Sequence, residues 1–313
     1  MNEELLKLPF DIYSRYKIIA DFILQNREQK SKLKILDVGG GFEDFLKMFL
    51  PQEDIRVVDV YDCQKDDYVK GDALNLPFSD NEFDFVFSCD VFEHIKNYDR
   101  TRFVLEQLRV SKNFVVLAAP FFSEAVVMAE KNANDFFKTI TGNDYIWLKE
   151  HLENGLPSEE LFDEFLARKQ LNYKKLSHCF LGFWSHLIKV NIVKDFFPKF
   201  TQEVNKLNIF YNKNVGDVDF SDFSYRKFYF ISKSNNRIIF NKKTESGSSF
   251  LQMFPELLFN DLENKFIGEK LLSFQIIDDR ELISRSLNEL INSTSWKITA
   301  PLRWLIDKIK NYK

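Results

Sequence analysis

The chain has 313 residues, 45% of them hydrophobic and 29% charged, with a formal net charge of -4. That is enough apolar material for one large domain, or for a domain with appendages, and the acidic balance excludes the global basic field that would hold DNA or RNA. Cys63, Cys89 and Cys179 form no C-x-x-C pair, so neither a disulfide framework nor a zinc knuckle is expected and a reducing cytoplasm is the default compartment.

The start, MNEELLKLPFD, lacks the basic and apolar pattern of a secretory signal, and export is not expected. Residues 9–27 read as a helix, with Ile12, Tyr16, Ile19 and Ile23 at helical spacing. Then comes KILDVGGGFED at 34–44, a buried strand (Ile35, Leu36, Val38) that ends beside Asp37 and runs into a turn of Gly39, Gly40 and Gly41. Glycines there let a ligand approach the backbone. A dinucleotide fingerprint needs a further glycine where Asp44 stands, and Asp44 would repel a pyrophosphate. Glu43 and Asp44 suit a ligand without phosphates, such as S-adenosylmethionine.

Residues 54–62, DIRVVDVYD, form a second β-rich run. They place Asp59, with Asp62 as second choice, where a ribose-binding carboxylate belongs, about 20 positions after the turn. GDALNLPF at 71–78 puts Asp72 and Ala73 in a loop able to receive an adenine, by carboxylate acceptance and backbone donation. FDFVFSC at 83–89 is a strand leading into DVFEHI at 90–95. A helix then covers 105–110, and FVVLAAP at 114–120 is a further strand. Asp84, at the start of the 83–89 strand, is read as fixing the preceding loop.

These motifs resemble those of class I S-adenosylmethionine-dependent methyltransferases, well over residues 30–122 and loosely over 123–233. The resemblance implies a Rossmann-like, doubly wound α/β fold with a mostly parallel seven-stranded sheet, helical insertions and a helical tail. It also implies S-adenosylmethionine as cofactor. The family's glycine motif maps onto Asp37, Gly39 and Gly41, its strand-two acid onto Asp59, its adenine loop onto Asp72 and Ala73, and its post-strand-four segment onto Asp90, Glu93 and His94. Asp90 is counted with the cofactor side. Glu43 departs from a glycine often found at that place. Helix 9–27 is expected to lid the cofactor, with Arg15 near the methionine carboxylate.

After Phe122 the rhythm turns helical, and 123–210 is expected to hold substrate-side insertions. One is a helix over 158–169, with Ser158 as N-cap and Leu161, Phe165 and Leu166 facing the core. Strands follow at 171–180 and 225–232, with a helical excursion near 185–207 between them. The stretch 176–188 is too short to span a membrane. The methyltransferase domain is taken as 1–234, a linker as 235–249 and a helical tail as 250–313. Within the tail, Glu281–Asn292 reads as a helix, and Pro301 opens a basic amphipathic helix carrying Leu302, Trp304, Leu305, Ile306 and Ile309.

Methyl transfer to a sugar hydroxyl benefits from a base. His94, after the fourth strand, and His151, in the insertion, are the catalytic candidates. His178, Cys179 and His186 lack metal-site spacing, and no metal is predicted. WLKEHLENGLP at 147–157 and SWKITAPLR at 295–303 resemble segments of methyltransferases and glycosyltransferases encoded with surface-polysaccharide genes. The expected function is O-methylation of a cell-surface glycan or a sugar-nucleotide precursor. The expected setting is the cytoplasm, held at the inner membrane face or to a glycosyltransferase or a second copy by the tail. The alternatives are a methyltransferase of a small metabolite, lipid or protein, and an inactive scaffold for glycosyltransferases.

Overall fold

The structure is a computed structural model that describes residues 3–27, 32–234, 236–241 and 262–270. Seven strands form one sheet: β1 (Lys34–Val38), β2 (Asp54–Asp59), β3 (Tyr68–Lys70), β4 (Phe83–Cys89), β5 (Ser111–Pro120), β6 (Asn172–Phe180) and β7 (Ser224–Ser232), in the order β3-β2-β1-β4-β5-β7-β6. All pairings from β3 to β5 are parallel, while β7 runs antiparallel to both β5 and β6. This is the expected Rossmann-like, mostly parallel sheet. The expectation for β2 ran three residues beyond its end at Asp59, and the short β3 had not been foreseen as a strand.

Near-continuous apolar runs are what a sheet covered on both faces requires. Ile35, Phe85, Phe87, Phe114, Val116, Phe228 and Phe230 point to one face, against α2 (Phe10–Gln25) and α3 (Phe45–Phe49). Their neighbours Leu36, Val86, Val115, Leu117, Tyr229 and Ile231 point to the other, against α4 (Arg100–Val110) and α7 (Glu159–Arg168). Asp84 accepts the backbone N–H of Lys34 at 2.8 Å and so fixes the start of β1, not the loop before itself as expected.

The insertion forms its own layer from α5 (Glu124–Thr141), α6 (Ile146–Asn154), α8 (Leu181–Val193) and α9 (Thr201–Asn214). Its core is built around Trp184, stacked on Tyr225 with centroids 3.8 Å apart, together with Phe183 and Tyr211. The helical excursion expected near 185–207 is present as two helices, α8 and α9, joined by short turns that include Pro198. Ser158 caps α7 as expected, its hydroxyl accepting from the Leu161 N–H. Leu161 itself is 59% exposed, however, and the core-facing set is Phe162, Phe165 and Leu166.

Two pieces beyond Ser234 pack on this body. Phe240 is buried beside Phe22 and Phe230, and Asn26 bonds both the N–H and the carbonyl of Ile239. A helix at 262–270 sets Leu262 and Phe266 against α5, α8 and α9, and Glu263 meets His186 at 2.6 Å and Lys189 at 3.2 Å. The first residues assigned to a linker thus carry an apolar anchor. The proposed helices at 281–292 and 301–309 lie outside the described residues. Among the described residues, no helix is long and apolar enough to cross a membrane.

Phe22 holds α2 to the sheet: it is fully buried, stacked on Phe230 at 4.4 Å and set edge-on to Phe114 at 5.5 Å. Phe22→Ala is expected to lower unfolding stability by about 3–5 kcal/mol, read from the midpoint of a urea titration.

Candidate active site

The strand order reverses between β1 and β4, and an open α/β sheet offers its ligand crevice outside the carboxyl ends of such a pair. The turn 39–41 leaves β1 at this point. Gly39 has φ +78, and a Cβ there would come within 2.5 Å of Val91; Gly41 has φ +67, and a Cβ there would meet only open space. Packing therefore demands the first glycine, while the third faces the crevice. Asp59, at the end of β2, accepts the Gly41 N–H at 3.0 Å through Oδ2 and the Val60 N–H at 2.7 Å through Oδ1. Both oxygens retain acceptor capacity for hydroxyls. Asp72 stands exposed in the loop after β3, with Oδ1 on the Leu74 N–H at 2.8 Å, and Ala73 packs against the core beneath. Asp62 points to solvent near Lys70. Lys65 lies 3.5 Å from Asp44 and also donates to the Phe42 carbonyl, tying the acidic turn down. These residues make a glycine-walled, acid-lined cradle that suits a cationic nucleoside.

Behind the turn, Asp37 is fully buried and accepts the Tyr16 hydroxyl at 3.1 Å. Burial pushes its carboxyl up to about 7, against the opposing pull of Tyr16 and Arg15. Asp90 is the reverse case. It follows β4 in the left-handed region, at φ 53. Its carboxylate receives Arg226 through Nε at 2.6 Å and through Nη2, and Arg15 Nη1 at 2.7 Å. It too is desolvated, yet the two guanidiniums, Arg226 foremost, hold it down at about 2. Arg15, read from the resemblance as a partner for the methionine carboxylate, is thus engaged with Asp90 and lies 3.7 Å from Asp11. The Asp90 side chain joins α2, β4 and β7 at the crevice wall.

One turn further, His94 meets α6. The Nε2 atoms of His94 and His151 are 3.1 Å apart. His94 Nδ1 is 2.7 Å from Glu150, and His151 Nδ1 is 2.9 Å from Glu130, which also accepts the Tyr225 hydroxyl at 2.9 Å. Glu93 is fully buried, 3.8 Å from His151 Nε2, and neither of its oxygens has a hydrogen-bond partner. Desolvation, reinforced by Asp90, raises Glu93 to about 8. Burial and the neighbouring His151 lower His94, whereas Glu130, Glu93 and their fellow carboxylates outweigh burial and raise His151. Trp147, 43% exposed, sets its ring edge-on to His94 at 5.5 Å.

The structure therefore brings His94 and His151 into contact across 57 residues of chain, and gathers Asp37, Gly39, Gly41, Asp59 and Asp90 along the edge of β1, β2 and β4. Sequence reasoning missed Tyr16, Glu130, Tyr225 and Arg226. Glu130 carried a legible signal: it lies on the stripe of Val126, Ala129 and Ala133, so its carboxylate faces inward. An open polar depression of about 670 Å3 lined by Asp44, Lys47, Arg56, Lys65 and Asp67 lies on the far side of β2. Its charges pair with one another, Lys47 with Asp67 and Lys65 with Asp44, and it is not the site.

The Asp37 proton gives a stability test. In the fold the acid stays protonated up to about pH 7, whereas an unfolded chain releases the proton near 4. The native state therefore binds the extra proton between these values, and its stability falls as pH rises from 4 to 7. Asp37→Asn, which keeps an acceptor for Tyr16, is expected to raise stability by on the order of 1–4 kcal/mol at pH 8. The gain should vanish toward pH 4 in thermal melts of the ligand-free protein.

Residues 36–118 match a family model described as a methyltransferase domain. Among solved structures, the chain is similar to a protein from Bacillus halodurans C-125 named as a methyltransferase, at 17% identity over 68% of this chain and 97% of that one, with a TM-score of 0.38. It is similar to a Galdieria sulphuraria protein named as a sarcosine dimethylglycine methyltransferase (15%, 71% and 84%, TM-score 0.43). A third is phosphoethanolamine N-methyltransferase 2 from Haemonchus contortus, in complex with phosphomonomethylethanolamine and S-adenosylhomocysteine (17%, 69% and 52%, TM-score 0.41). Over residues 36–118 the chain thus matches a methyltransferase domain, and S-adenosylmethionine is the cofactor that such a domain implies.

Proposed function

We propose that this chain O-methylates a sugar hydroxyl of a cell-surface glycan or of its precursor. The observation that carries the reading is the composition of α6. That helix is the stretch whose sequence resembles surface-polysaccharide methyltransferases, and it supplies Trp147, Glu150 and His151 to the crevice. A half-exposed tryptophan face beside a polar pair suits a ligand with one apolar and one hydroxylated side, as a sugar ring has. The cytoplasmic, membrane-proximal setting and the docking partner rest on the sequence of residues 293–313, outside the described residues.

S-adenosylmethionine supplies the methyl group from its sulfonium, so the protein's work is to place the acceptor in line and to ease loss of its proton. Gly39 and Gly41 open the floor of the cradle, Asp59 receives the ribose hydroxyls, and Asp72 and Ala73 take the adenine. The acceptor hydroxyl would meet the His94–His151 pair, and its proton would pass to the Nε2 lone pair of His94, whose other nitrogen faces Glu150. Glu150 and Glu130 hold both rings from behind. Arg226 and Arg15 keep Asp90 ionised and immobile at the wall between the two ligands.

Asp59→Ala is expected to weaken S-adenosylmethionine binding about 10- to 100-fold by calorimetry, the loss of hydrogen bonds to a charged acceptor, while Asp62→Ala leaves it unchanged. Equal effects would transfer the ribose to Asp62. Labelled methyl transfer to extracted glycan fractions tests the acceptor. His94→Ala and His151→Ala are each expected to reduce turnover about 100-fold or more with cofactor affinity retained. Label appearing only in free small acceptors, lipid or protein would replace the glycan reading. Failure to bind the cofactor at all would leave the scaffold.

A further inference from the structure

We propose that Glu93, His94 and His151 form a binding site for one divalent first-row transition ion of the zinc, cobalt or manganese type. The first observation is the direction of the lone pairs. Carboxylates accept and do not donate, so Glu150 and Glu130 place the ring hydrogens of His94 and His151 on Nδ1. Both Nε2 atoms then present lone pairs, and these face each other at 3.1 Å. Two lone pairs at that distance need a cation between them, either a proton shared as an N–H···N bond or a metal ion. A tetrahedral ion with bonds of 2.0–2.1 Å holds two nitrogen ligands about 3.3 Å apart, a few tenths of an ångström from what is found.

The second, independent observation is Glu93. It is buried completely, aimed at the same place, and neither oxygen is hydrogen-bonded. A carboxyl buried in this way stays neutral by keeping its proton unless a cation meets it, and a bound ion would take that proton's place. No lysine or arginine among the described residues forms an ion pair with Glu93, Glu130 or Glu150, so three carboxylates surround two imidazoles without a side-chain counter-charge of their own. One ligand atom from each of Glu93, His94 and His151 falls within a set spanning no more than 4.8 Å. Glu150 and Glu130 then stand where outer carboxylates stand behind metal-bound histidines, fixing tautomer and orientation. Two imidazoles and one carboxylate favour a borderline ion over magnesium or calcium, which prefer all-oxygen shells. Three protein ligands leave a coordination position toward the crevice. A hydroxyl bound there would be acidified, the ion taking over from the imidazole lone pairs the task of easing proton loss, and that consequence, unlike the site itself, rests on the methyltransferase reading.

The test uses the untagged full chain, stripped with a chelator and titrated with Co2+ alone, read by visible absorption and by calorimetry without cofactor or acceptor. The expected result is one Co2+ per chain, with the ligand-field bands of a low-symmetry, four- or five-coordinate ion, displaced by Zn2+ and not by a tenfold excess of Mg2+. Glu93→Gln is expected to weaken Co2+ binding at least tenfold while the metal-free melting temperature holds or rises, because no hydrogen bond is lost. A purely structural Glu93 would instead lower that temperature. His151→Gln should abolish the bands. Absence of stoichiometric Co2+ binding, binding indifferent to both substitutions, or equal displacement by Mg2+ would each overturn the proposal. None of these readouts requires methyl transfer, so failure of the site and failure of the enzymatic reading are told apart.

Discussion

The Asp90 carboxylate, gripped by Arg226 and Arg15, is the constraint on which the site depends. Three charged groups are taken out of water together, which is tolerable only because each oxygen is met by a guanidinium at hydrogen-bond distance. The geometry this imposes is specific. Arg226 lies on β7, the antiparallel strand inserted between β5 and β6, and Arg15 lies on α2, so one side chain after β4 ties the two chain ends of the domain to its centre. Removing either arginine would leave a buried carboxylate half-compensated, a defect of several kcal/mol. The left-handed backbone at Asp90 is held in place by the same grip, and it sets the direction of the turn that carries Glu93 and His94.

The sheet was largely legible in the sequence because its strands are buried on both faces and read as short apolar runs bounded by glycine, proline and charged residues. The placement of the residues proposed for the cofactor, at the strand ends beside the crevice, was legible for a related reason. Gly39, Gly41, Asp59 and Asp72 are local features, each at the end of its own strand, and their spacing along the chain repeats the spacing of strand ends along the sheet edge. β3 escaped notice because three residues carry no period. Leu161 was misplaced because adjacent apolar residues Leu161 and Phe162 differ by 100° around a helix, and only the packing of Phe162 against Phe121 and Tyr229 decides between them.

The acceptor side was not legible in the same way, because it is assembled from residues far apart in sequence. His94 and His151 could each be named as candidates from position, yet nothing in the spacing says that their Nε2 atoms converge. That contact depends on α6 crossing the mouth of the crevice. It also depends on Glu130 of α5 and Tyr225 of β7 holding His151 from behind. Arg226 was hidden for the opposite reason: within SYRKFYFIS it sits at an inward position of an otherwise apolar strand, and a buried arginine becomes intelligible only when its carboxylate is found 136 residues away.

This difference has a physical consequence for how the molecule divides its labour. The residues assigned to the cofactor in the proposed function belong to the sheet and its short loops, held between two apolar layers. Those assigned to the acceptor ride largely on α5 and α6, packed in the core around Trp184 and Tyr225. A change in that second core can shift Trp147, Glu150 and His151 together without disturbing Asp37 or Asp59. One bridge between the layers is the run from Asp90 to His94, anchored by arginines on its sheet side and by Glu150 and His151 on its insertion side; another is Tyr225 of β7, stacked on Trp184 and bonded to Glu130. A charge placed at the His94–His151 contact therefore acts on both layers at once, through Glu93 toward Asp90 and through Glu130 toward Tyr225. The two sides of the crevice are thus linked by charged groups a few ångströms apart, from Asp90 through Glu93 to His151 and Glu130.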